Sequence, residues 1–186
     1  GEWAESLMLV PWHELNDAYG DASEVPALFY AVAVGTWETR EPAWWELWGN
    51  VHHQGTVYQA TVPAVPFLER LARWPGHPDR VETLSFLRQV AIGDGPFASD
   101  VREAVHPVAE TLVSNWHAEG ELIRRALIWL SSVYPDIAGQ HPELVALIPE
   151  AHRQAWDEVV ARSGYPPFGD DESENEEMDH EDQFDE

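Results

Sequence analysis

The sequence predicts an all-α protein assembled from repeated two-helix units. Three observations carry that expectation. Apolar residues in every periodic segment recur at 3.6 rather than at 2 residues. The segments are separated by the breakers "GTW", "HHQGT", "PGHPD", "GDGPF" and "PDIAGQHP". An aliphatic or His residue precedes proline at Val25-Pro26, Val65-Pro66, His106-Pro107 and Ile148-Pro149, at spacings of 40, 41 and 42 residues.

Taken in order, residues 1–23 precede the first periodic helix and carry Trp3, Leu7, Leu9 and Trp12, apolar side chains that need a surface to cover. The first helix, 24–35, stops at "GTW", and the second, 38–51, stops at "HHQGT". On a helical wheel Trp37, Trp44, Trp48 and Val51 share one stripe flanked by Ala43 and Leu47, which reads as core. Helices over 61–74 and 79–92 are closed by "PGHPD" and "GDGPF". Two more follow at 100–117 and 120–134, then a short one over 142–148 and a last one over 149–163. No strand is needed anywhere. The prolines fit first turns, where a missing N–H costs nothing, although Pro66 and Pro107 can instead kink a helix under way. In the second helix of each unit the pairs Ala43/Leu47, Thr83/Leu87 and Ala126/Leu130 recur at 40 and 43 residues.

A period near 40 with two helices per unit resembles bacterial HEAT-like repeat proteins, on the stretches "EVPALFYAVAV", "TREPAWWELWGNV", "HHQGTVYQATVPAVPFLERLA" and "GELIRRALIWLSSV". The resemblance implies a short right-handed HEAT/armadillo-like α-solenoid of about three to four repeats over 24–163. The second-helix arginine of such repeats falls at Arg40 and Arg124, whereas Arg80 opens its helix, so an irregular middle unit is expected. Some HEAT-like proteins are di-iron hydroxylases with His-Glu dipeptides at matched repeat positions. Here His13-Glu14 precedes the repeats and His180-Glu181 follows them, so that chemistry is not expected.

The chain carries 34 acidic residues against 10 basic ones, a net charge of −24. Residues 170–186 hold 11 of those carboxylates, and 164–186 is expected to be a disordered acidic tail. The body keeps an acidic excess of its own. Such a surface repels nucleic-acid backbones and anionic membranes and attracts basic proteins or cations. Cysteine is absent, which excludes disulfides and thiolate chemistry. No apolar run approaches the roughly 18 residues of a membrane span, and residues 1–20 lack a signal pattern, so a cytoplasmic protein without membrane contact is expected.

Two features invite a functional reading. Trp45 points away from the tryptophan stripe, between Glu38 and Glu41. It either packs under residues 1–20 or stands as an exposed aromatic anchor ringed by carboxylates, the composition of a protein-binding hot spot. The loop "NVHHQGTVYQAT" places His52, His53 and Gln54 between the first and second units. Adjacent imidazoles point different ways, which is poor geometry for one metal, and no His-x3-His occurs. The loop reads mainly as a connection in which Gly55 supplies positive φ, Asn50 and Gln54 satisfy carbonyls and Thr61 caps the next helix.

The expected function is therefore a non-catalytic, cofactor-free acidic scaffold. Its partner-binding residues are expected to be Trp45, Glu38, Glu41, His52, His53 and Gln54, and its partner a basic protein. Small acidic HEAT-like proteins look like immunity partners of polymorphic toxins, whose nuclease members are basic, so the resemblance implies a toxin-neutralising role. The alternative is a metal-dependent enzyme that uses the His52/His53 loop.

Overall fold

The computed structural model describes residues 1–163, so the expectation of a disordered tail lies outside the described residues. Within them the chain is mostly helical. Helix α1 spans Glu2–Leu9 and α2 spans Val25–Val34. Next come α3 (Trp37–Val51), α4 (Thr61–Arg73), α5 (Arg80–Ala91), α6 (Ala98–Ser114) and α7 (Glu121–Ser131). The C-terminal part holds α8 (Pro135–Gln140), α9 (Pro142–Val145) and α10 (Glu150–Ser163). None of the helices among the described residues is long and apolar enough to cross a membrane.

Adjacent helices pack as antiparallel partners in sequence, α2 on α3, α4 on α5 and α6 on α7, and further contacts join α4 to α6 and α5 to α7. Leu47, Leu87 and Leu130, the matched positions of the second helices, are all fully buried. Ala43 and Thr83 are buried beside them and Ala126 is partly so. Pro26 lies in the first turn of α2, while Pro42, Pro66 and Pro107 sit inside α3, α4 and α6.

Four findings depart from the sequence expectations. The first is α1 itself, which anchors the N-terminal segment. Its Leu7 is buried, Trp12 donates from Nε1 to the Leu7 carbonyl (2.8 Å), and Trp3 meets Phe67 edge to face. This segment covers Phe29 and Phe67, not Trp45. The second is a pair of short antiparallel ribbons, β1 (Asn16–Asp17) with β2 (Gly20–Asp21), and β3 (His52–His53) with β4 (Thr56–Val57). Two paired residues per strand are too few for a period-2 pattern to show in sequence.

The third departure is Trp37, which is 59% exposed rather than core. It opens α3, whereas the aromatic contacts to α5 are made further along the helix by Trp44 and Trp48 against Phe86. The fourth concerns Arg80, which opens its helix and yet makes contacts that parallel those of Arg40 and Arg124. Its Nε donates to the Ala72 carbonyl (2.7 Å), eight residues earlier, as Arg124 Nε donates to the Trp116 carbonyl (3.2 Å), also eight earlier. Its Nη1 and Nη2 form a bidentate pair with Glu119 (3.0 and 2.7 Å), much as Arg40 Nε reaches Asp79 (2.7 Å) between the preceding helix pairs. The arginines therefore sit 40 and 44 residues apart, and their acids 40.

Candidate functional site: an acidic aromatic groove

The site begins with a turn. Gln54 and Gly55 form the two-residue loop between β3 and β4 with φ of 49° and 86°, the two positive values that a type I′ hairpin requires. Gly55 thus serves a hairpin rather than a helix end, and α3 stops at Val51. Thr61, the first residue of α4, accepts from the Tyr58 N–H (2.8 Å) and donates to the Val51 carbonyl, tying the end of α3 to the start of α4.

The hairpin is seated on the loop after α5. Val57 N–H donates to the Asp94 carbonyl (3.0 Å), Asp94 N–H to the Gly55 carbonyl (2.8 Å), and Thr56 Oγ1 to Asp94 Oδ1 (2.6 Å). Glycines flank Asp94 because the hairpin comes so close. A Cβ at Gly93 would lie 2.4 Å from Val57 Cγ1, and one at Gly95, where φ is +97°, would lie 2.8 Å from Thr56 Cγ2. The "GDG" that sequence reading marks as a breaker is the hairpin's seat.

With the hairpin fixed, its histidines face different neighbours, as adjacent strand residues must. His52 meets Trp48 edge to face and His53 meets Tyr19 in the same way. Burial holds the His52 imidazole below its ordinary pKa, against the opposing charge of Asp94. Tyr19 is carried by the β1–β2 turn, where Asp17 Oδ1 accepts from the Tyr19 N–H (2.8 Å) and the Ala18 N–H donates to the Asn50 carbonyl at the end of α3 (2.9 Å).

These elements bound a groove of about 1190 Å³ that follows the length of α3. Its lining includes Trp37, Glu41, Trp45, Glu46 and Trp48 from α3, then His52, His53 and Gln54 from the hairpin. Tyr19 closes one end, and Asp79 and Glu82 supply the α5 side. Trp45 is 83% exposed. Trp48 is half-buried, stacked on Phe86 at 4.5 Å. Asp79 is already satisfied by Arg40 Nε and by Trp44 Nε1 (3.0 Å). Desolvation, reinforced by the Asp79 charge, pushes the Glu82 carboxyl above its ordinary value. Among the described residues no arginine lines the groove.

Five of the six residues singled out from sequence, Glu41, Trp45, His52, His53 and Gln54, line this groove. Glu38 does not. Its own backbone N–H and the Thr36 hydroxyl hold its carboxyl below the usual Glu value, so it belongs to the start of α3. Sequence reading passes over Tyr19, Trp37, Glu46 and Glu82. Glu46 neighbours Trp45 in the chain and Trp37 is one helical turn from Glu41, so both carry a local signal. Tyr19 and Glu82 depend on tertiary placement. Among the described residues no three His, Asp or Glu side chains converge as metal ligands would.

The chain matches no protein-family model, no curated protein and no solved structure.

Proposed function

We propose that this chain is a non-catalytic acidic binding scaffold of the cytoplasm. In this reading its helix pairs form a short HEAT-like α-solenoid that engages a basic protein and neutralises or escorts it, as an immunity protein does against a basic nuclease toxin. The observation that supports it most is the groove, in which exposed aromatic rings and carboxylates share one concave surface with no arginine among the described residues that line it. Rings that lose water on docking extend residence time, and a like-signed field steers an oppositely charged partner to the groove. The net charge of −24 extends that field over the whole chain.

The test is kinetic. A basic partner is co-purified from the native cell, identified, and mixed with the purified chain at several ionic strengths. Association slows steeply as the Debye length shrinks below about 10 Å. Trp45→Ala speeds dissociation by about tenfold or more, since a desolvated aromatic acts on the bound state rather than on encounter. Association that ignores salt, with dissociation that ignores Trp45, overturns the reading.

A further inference from the structure

The ten tryptophans divide sharply by what they touch. Trp3, Trp12, Trp44, Trp48, Trp74, Trp116, Trp129 and Trp156 each meet another aromatic or imidazole ring. Trp37 and Trp45 meet none among the described residues, and both are mostly exposed, at 59% and 83%. They are not scattered over the surface. Positions 37, 41 and 45 are successive four-residue steps on α3, so they form one row, each side chain about 6 Å further along the helix than the last. The residue between the two unpartnered indoles is Glu41, which has neither an ion pair nor a hydrogen bond among the described residues and lines the same groove.

We propose that the Trp37–Glu41–Trp45 row is a receptor for one arginine side chain of the basic partner. This rests on the reading of the chain as a binder of basic proteins and specifies what the groove recognises. A carboxylate with an indole one turn to either side offers a planar cation both things it needs. The guanidinium pairs bidentately with the carboxylate while its faces lie against the rings. Lysine satisfies only the charge, because its ammonium is compact, strongly hydrated and has no flat face. The fold already uses each half of this arrangement internally. Arg80 binds Glu119 through both Nη atoms, and the Arg124 guanidinium lies 5.6 Å over the Trp116 ring. Glu46 and Glu82 on the same groove provide for neighbouring cations of the incoming segment.

Two nine-residue peptides of equal charge, nona-arginine and nona-lysine, test this by calorimetric titration into the full chain at fixed ionic strength. The attraction due to net charge is the same for both. The arginine peptide binds about tenfold or more tightly than the lysine peptide. Glu41→Gln and the double variant Trp37→Ala/Trp45→Ala each remove that preference and leave lysine-peptide binding nearly unchanged. Glu110→Gln, an equal charge change on an exposed residue of α6, leaves the preference intact. All four positions are exposed, so the variants keep the fold, which circular dichroism verifies. Equal affinity for the two peptides, a preference that survives Glu41→Gln, or binding of neither peptide overturns the receptor. Equal affinity combined with salt-steered association of the native partner overturns the arginine receptor alone and leaves the binding scaffold standing.

Discussion

The junction between the first two helix pairs and the junction between the next two are fastened alike but filled differently. Each is clasped by an arginine reaching an acid of the following unit, Arg40 to Asp79 in one and Arg80 to Glu119 in the other. At the second, α5 lies directly on α7 and α4 on α6 with no ring pair across them among the described residues, and Leu84, Leu87, Val90, Leu127 and Leu130 of α5 and α7 are buried. The first is bridged by rings. Phe29 meets Phe67 at 5.6 Å between α2 and α4, and Trp44 and Trp48 both lean on Phe86 between α3 and α5. The difference teaches that one repeated clasp can hold either a closed seam or an open one, and that the groove lies on the open one.

The comparison is broken most severely by removing the ring on which the open seam leans. Phe86→Ala should cost about 3–5 kcal/mol in urea denaturation and also deform the groove, which the loss of arginine-peptide binding would report. Leu130→Ala on the closed seam should cost about 2–5 kcal/mol and leave the groove's binding unchanged when the folded fraction is matched. Leu47→Ala in α3 and Leu87→Ala in α5, both fully buried, should cost similar amounts.

The clasps come next. Glu119→Gln should destabilise by about 1–3 kcal/mol, because it replaces a charge-assisted bidentate pair with a neutral one. Hydrogen bonding from Arg80 holds the Glu119 carboxyl below its ordinary value. Its contribution is therefore complete above the unfolded Glu pKa and is lost as pH falls through the folded one. Urea midpoints measured from neutral pH downward should decline less steeply in Glu119→Gln than in the parent chain.

Smaller still is the titration of His52. Burial lowers its folded pKa, so the unfolded chain binds the proton more readily. Stability is complete above the ordinary His value and falls as pH drops through the window beneath it. An NMR titration of the His52 ring should find its midpoint below that of a free histidine. Trp45→Ala should have the least effect on folding, within about 0.5 kcal/mol, since its ring is exposed and touches no other. A large loss of stability there would mean that the indole supports the open seam rather than facing a partner.

The helices are legible in the sequence because each carries a 3.6-residue apolar pattern and ends at a breaker, and both signals are local. The burial of Leu47, Leu87 and Leu130 follows from the same periodicity. Other parts are legible only once the chain has closed on itself. The β3–β4 hairpin depends on Gln54-Gly55 adopting a two-residue turn and on Gly93 and Gly95, some forty residues on, making room for it. Trp37 shares a wheel position with Trp44, but a wheel does not show where the neighbouring helix ends. Arg80 looks displaced by its place at a helix start. Its equivalence to Arg124 lies in the eight-residue reach back to a carbonyl. Five groove residues could be named from α3 and the histidine loop, whereas Glu82 belongs to another helix pair and enters only through the fold.

The two sides of the groove belong to different helix pairs, with Trp37, Glu41 and Trp45 on α3 and Asp79 and Glu82 at the start of α5. Its width and the angle between those pairs are therefore one and the same variable. The Arg40–Asp79 clasp ties the two pairs together at the start of α5, and the hairpin seated on Asp94 ties them again beyond its end. A ligand that touched both sides would tie the same two pairs together at a third place.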